Sequence, residues 1–173
     1  MWVTCVERDF MGDDLVPDFV TRVQEGDDFG WPHFYLGGRR DPMYPDAPVR
    51  QVRSPDVLIQ AHSVPLGLTF GDRTHFPAEY RDDLFVALRG STNRTERSGY
   101  MVARVRFEGG RRLPGYVPFA TGWLPNPREA LAYGRPVGLA VGKDGALLVA
   151  DEAGHRVWRI EYQGNGRARV PSK

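Results

Sequence analysis

Four acidic side chains fall within eight residues near the start of the chain: Glu7, Asp9, Asp13 and Asp14, in the stretch VERDFMGDD. Hard cations take several oxygens from carboxylates and backbone carbonyls, so this loop is a candidate metal site. The competing reading is a solvated acidic turn. A second group is cationic and polar: Arg89, Asn93 and Arg94 follow one apolar run, and Arg135 opens another. A guanidinium matches a carboxylate with two parallel N–H donors, so these residues are candidates for holding an anionic ligand. The competing reading for each arginine is a surface ion pair. His62, in Ala-His-Ser-Val-Pro, precedes an apolar strand, and a neutral imidazole there could bond a carboxylate. An exposed loop histidine is the alternative. His33, His75 and His155 have no such placement and are expected to be solvated. Asn93-Arg94-Thr95 is formally a glycosylation sequon, a match too short to carry weight.

Composition narrows what these residues can belong to. Hydrophobic residues make up 41% and charged residues 26% of 173, as in an ordinary globular domain with a sizeable core. The net charge of +1 gives no footprint for nucleic acid. No run approaches 18 apolar residues, so no membrane-spanning helix is expected. The single Cys5 excludes an internal disulfide and a cysteine-based zinc site. The N-terminus lacks a basic start and a long apolar run, so it does not read as a secretory signal; it reads as the middle of a strand.

Short strands must carry the candidate residues. Gly 20 and Pro 14 punctuate the chain too often for long helices. Strands are expected at Trp2–Val6, Leu66–Phe70, Leu84–Leu88, Tyr100–Phe107, Val137–Val141, Ala146–Ala150 and Val157–Tyr162. Asp144-Gly145 supplies a hairpin turn, and Glu152–His155 a second turn. Asp18–Gln24 reads as a helical turn or a strand, and Arg128–Tyr133 as one helical turn at most. Gly37–Gln60, with four prolines, reads as a long surface loop, and residues 163–173 as a frayed tail. Pro65–Gly71 (PLGLTFG) and Pro136–Gly142 (PVGLAVG) share four of seven residues at a spacing of 71. Each is followed by a Leu-Phe-Val-Ala or Leu-Leu-Val-Ala strand and a third apolar strand. Repeated antiparallel units of this kind are the mark of a β-propeller, and the chain holds about two and a half to three blades. A small β-sandwich is the alternative.

Four stretches, in order, carry a resemblance: VERDFMGDDLVPDFVTRVQEGDDFGWPHFYLG; AHSVPLGLTF with FPAEYRDDLFVAL; RGSTNRTERSGYMVARVRF; and GRPVGLAVGKDGALLVADEAGHRVWRIEY. Together they resemble the C-terminal half of the glucose/sorbosone dehydrogenase family, nearest its L-sorbosone dehydrogenase-like branch. The resemblance covers residues 1–162. It implies an all-β fold, part of a six-bladed propeller, and a quinoprotein oxidoreductase using pyrroloquinoline quinone (PQQ) and Ca²⁺ on an aldose or sugar aldehyde. It implies a periplasmic or secreted location and a cytochrome or other electron acceptor as partner.

On the same resemblance, the loop bearing Glu7, Arg8, Asp9, Asp13 and Asp14 approaches the metal, by side chains or backbone carbonyls. His62 lies over the quinone. Arg8, Arg89, Asn93 and Arg94 face its carboxylates, and Arg135 contacts it at the channel mouth. Relatives have His-Gly-Ser-Trp-Asn-Arg where this chain has Arg89-Gly-Ser-Thr-Asn-Arg, which puts a stacking surface in doubt. Gly30-Trp31-Pro32 is expected to shape the wall, with Trp31 packed between blades. Trp123 and Tyr133 are expected mainly in core packing. The family's general base is a histidine on an N-terminal blade with no counterpart here, so no catalytic residue is assigned and the isolated chain is expected to be inactive. The alternatives are a non-catalytic propeller binding module and, last, a Ca²⁺-dependent lactonase.

Overall fold

The computed structural model describes residues 1–164. Its strands, in chain order, are β1 (Trp2–Cys5), β2 (Asp18–Arg22), β3 (Phe34–Tyr35), β4 (Arg39–Arg40), β5 (Val57–Ile59), β6 (Pro65–Phe70), β7 (Leu84–Leu88), β8 (Met101–Val105), β9 (Phe107–Glu108), β10 (Arg111–Arg112), β11 (Val117–Ala120), β12 (Pro136–Val141), β13 (Leu147–Asp151) and β14 (Arg156–Ile160). The only helical element among the described residues is a 3₁₀ turn at Ala78–Tyr80. The all-β expectation therefore holds. Asp18–Arg22 is strand, and Arg128–Tyr133 forms turns without a helix. The long connection around residues 37–60 contains β5 and half of the β3–β4 hairpin. Residues 165–173 of the expected tail lie outside the described residues.

Three antiparallel sheets make the body, in the orders β1-β2-β5, β6-β7-β8-β11 and β12-β13-β14. Their pairings run Trp2↔Arg22, Phe85↔Arg104 and Val149↔Trp158. By order and direction, β1, β2 and β5 hold the places that β7, β8 and β11 hold in the second sheet. The third sheet repeats β6, β7 and β8, so the 71-residue repeat is a repeat of sheets.

Burial follows the two-residue period of a strand. Leu84, Val86 and Leu88 point from β7 into one cluster with Val20, Val57 and Ile59. Phe85 points the other way, into a second cluster with Tyr100, Trp123, Leu147 and Val149. All five residues of β7 are buried because the second sheet has a neighbour on each face. Each fully buried apolar side chain of this size contributes about 1.5–3 kcal/mol. The sheets meet closely: Thr4 Oγ1 on β1 donates to the Leu66 carbonyl on β6 at 2.9 Å, and a Cβ on Gly67 of β6 would come within 2.8 Å of the Gly138 Cα on β12.

Candidate functional site

Antiparallel alternation sends five connections to the same end of the sheets: 6–17 (β1 to β2), 60–64 (β5 to β6), 89–100 (β7 to β8), 121–135 (β11 to β12) and 152–155 (β13 to β14). Every candidate residue lies on these loops, so the fold gathers at one end residues up to 128 positions apart in sequence.

Side-chain partners sort the candidates. His62 is buried, with Nδ1 2.9 Å from Asp9 Oδ1 and Nε2 2.9 Å from the Gly12 carbonyl. Its ring holds the 6–17 loop rather than facing open space. Asp13 accepts the Thr95 backbone N–H at 3.1 Å; the Thr95 side chain first, then that N–H and the Arg94 charge, keep its carboxyl below the usual range. Asp14 accepts from Gln60 Nε2 and Arg94 Nη1, each at 3.1 Å. Arg94 also donates to the Asp13 carbonyl and, at 2.8 Å, to the Glu96 carbonyl. Glu7 is half-buried; burial raises its carboxyl, the Arg8 backbone N–H partly offsets this, and Asp18 and Asp41 add to the rise.

The four acidic residues consequently do not converge. Among the described residues, no three His, Cys, Asp or Glu side chains form a group that could hold a metal ion. Asp9, Asp13 and Asp14 each turn to a different neighbour: His62, Thr95 and Gln60.

Arg8 donates from Nη1 to both oxygens of buried Asp41 at 2.6 Å. Arg89 forms a two-point pair with Glu152 at 2.8 and 2.7 Å, which raises the guanidinium and lowers the carboxyl. Asn93 is exposed. Arg135 differs: Nη2 donates to the Tyr100 hydroxyl at 2.8 Å, Nη1 to the Gly90 carbonyl at 3.3 Å, and no carboxylate lies within ion-pair distance among the described residues. Its backbone N–H donates to Asp151 Oδ1 at 2.7 Å. Burial raises the Asp151 carboxyl, but the N–H groups of Arg135, Gly154 and the Trp158 indole outweigh it and leave it below the usual range.

Other expectations also meet the structure. Trp31 is 66% exposed, not packed between sheets, because it lies on the open flank of β1 beside Val3, Cys5, Phe19 and Phe29. Gly30 is needed where it stands: φ is +104°, and a Cβ would meet the Phe34 carbonyl at 2.7 Å. His33 is half-buried and contacts Arg50 at 2.9 Å, whereas His75 and His155 are exposed. Trp123 is buried in the core and Tyr133 is exposed.

Asp18, Asp41, Tyr100 and Asp151 escaped the sequence reading. Asp18 is buried and accepts N–H groups from Glu7 at 2.9 Å and Val64 at 2.8 Å, joining two loops of the site. The signal was the position of Asp18 and Asp151 at the loop ends of apolar strands, where a buried carboxylate collects orphan N–H groups.

The chain is similar to several known proteins. It is 30% identical over 160 residues to an uncharacterized protein of Borreliella burgdorferi, covering 90% of this chain and 42% of that one. The calcium structure of Trichoderma reesei Carbohydrate-Active Enzymes Family AA12 superposes with a TM-score of 0.68 at 17% identity, over 90% of this chain and 47% of that one. The holo form of the pyranose dehydrogenase PQQ domain from Coprinopsis cinerea gives 0.58 at 21% identity, over 92% and 49%. At these identities the likeness to the two structures is one of fold. The chain spans less than half the length of each. A family model described as TrAA12-like matches residues 41–163, and the chain belongs to the TrAA12-like family.

Proposed function

We propose that this chain is one part of a six-bladed β-propeller quinoprotein that binds PQQ and Ca²⁺ and oxidises an aldose or sugar aldehyde, the sorbosone type included. The observation that carries the reading is Arg135: a half-buried guanidinium at the common loop end, fixed by Asp151 at its backbone and without a carboxylate partner among the described residues. An unneutralised, oriented guanidinium suits a carboxylate of the cofactor. Arg8, Arg89 and Arg94 support it less, since each already has an acidic partner. When bound, PQQ supplies a two-electron acceptor for the sugar. The chain's own part is to hold a carboxylate at Arg135 and to brace the neighbouring loops through His62 and Asp18. His62 is not proposed as a base, because both ring nitrogens are engaged.

Calcium would be the cation accompanying the cofactor; among the described residues no three acidic, His or Cys side chains group around one point, so backbone carbonyls of the 6–17 loop would share in holding it. Asn93 and the carboxylates of Glu7, Asp9, Asp13 and Asp14 lie at the ligand-bearing end, where they would face the cofactor and its cation. The remaining sheets, a catalytic histidine, the electron acceptor and a periplasmic or extracellular location follow from the same reading. No helix among the described residues is long and apolar enough to cross a membrane.

Calorimetric titration with PQQ, with and without Ca²⁺, is the test. Binding is expected, and Arg135→Gln should weaken it about 10–100-fold, the effect of removing one charge-assisted contact. Wild-type affinity in that variant, or no binding by the parent chain, would remove the quinoprotein reading.

A further inference from the structure

Arg135 does not stand alone. Arg97 Nη1 also donates to the Tyr100 hydroxyl at 2.8 Å, so two guanidiniums share one phenol oxygen. Tyr100 in turn donates to the Ser91 carbonyl at 2.5 Å, and Arg135 lies over its ring at 5.0 Å. Nine other arginines pair with an acidic side chain within 4 Å, but Arg97 and Arg135 do not, among the described residues. Two positive charges are thus held close with only neutral acceptors between them. Glu152 lies near Arg135 but is paired with Arg89, so a further anion placed between the two guanidiniums would relieve their repulsion.

The backbone is built to keep this arrangement. Tyr100 has φ +55°, an uncommon conformation for a bulky residue and one that concentrates at functional positions. Gly90 has φ +96°, and a Cβ there would strike the Tyr100 ring at 2.2 Å. A cavity of about 370 Å³ opens beside the unit, lined by Gln60, Arg97, Tyr100, Tyr116 and Leu124 among others. It gives a small ligand access to Arg97.

We infer that Arg97, Tyr100 and Arg135 form one anion seat, in which the phenol fixes two guanidiniums for a small molecule bearing more than one carboxylate. The inference rests on the proposed role of Arg135 and adds Arg97 as a second ligand-binding cation, with Tyr100 as the positioning residue for both.

The test is titration of the 173-residue chain with PQQ and, separately, with citrate, a polycarboxylate that has no quinone. Each is run at low and high salt, on the parent, Arg97→Gln and Tyr100→Phe. Both ligands should bind. Each variant should weaken binding about tenfold, as for one charge-assisted contact, and Arg97→Gln should flatten the salt dependence without moving the thermal midpoint. If Tyr100→Phe fails to fold, Arg97→Gln decides alone. Citrate bound with this pattern and PQQ not bound would keep the seat and remove the quinone reading. Parent-like affinity of Arg97→Gln for both ligands, or no binding of either, would overturn the seat.

Discussion

Asp151 collects three donors: the N–H groups of Arg135 and Gly154 and the Trp158 indole. Its carboxyl is held below the ordinary range, so its contribution is complete above the unfolded value near 4 and fades as pH falls through the folded one. Asp151→Asn turns an amide toward at least one donor and should cost about 1–3 kcal/mol at pH 7. Urea unfolding should show that deficit constant from pH 7 to 5 and shrinking below about pH 4. A deficit independent of pH would mean that packing, not charge, is lost. Cys5 offers a second residue-scale check. Burial, with Glu7 and Asp18 adding, pushes its thiol up to about 11. Alkylation at pH 7.5 should therefore be much slower in the folded chain than in urea, since the thiolate is the reacting form.

At the scale of elements, the inner strands β6 and β12 approach because Gly67 and Gly138 face each other. A methyl on Gly67 would lie 2.8 Å from the Gly138 Cα and 2.9 Å from the Val137 carbonyl, whereas one on Gly138 meets nothing nearer than the Ala150 Cβ at 3.3 Å. Neither glycine has a positive φ, so the comparison is one of space alone. Gly67→Ala should destabilise by about 1–3 kcal/mol, the range for overpacking, and Gly138→Ala by less. Thermal unfolding of the two variants gives the order; the reverse order would show that the strands part more easily than their spacing implies.

For the whole molecule, the outer surfaces of the array decide behaviour. Among the described residues β1 has one unpaired edge, flanked by Trp31, and on the third sheet Val157 is 65% exposed. Open strand edges and bare apolar sheet faces pair with other chains. Sedimentation of the 173-residue chain should give concentration-dependent species heavier than 19.5 kDa, and Val3→Lys with Val157→Lys should restore the monomer. A parent chain that stays monomeric at high concentration would mean these surfaces are self-sufficient.

The sequence by itself determined the strands and the repeat. Two-residue alternation bounded by glycine and proline is a local signal, and a copy of Pro-x-Gly-Leu-x-x-Gly states its own spacing. It also determined that the candidate residues fall in the loops between strands. It left β2 open between helix and strand and missed β3, β4, β5, β10 and β11, because these are short and become strands only by pairing, as Val57–Ile59 does with β2 and Val117–Ala120 with β8. Which candidates remain available was decided by tertiary structure alone. Glu152 lies 63 residues from Arg89 and Asp41 lies 33 from Arg8, yet each neutralises its arginine. Tyr100 and Arg97 meet Arg135 only once two sheets stand side by side. A side chain's partner depends on which loop folds next to it, and that is a property of the assembled sheets, not of neighbouring residues in the chain.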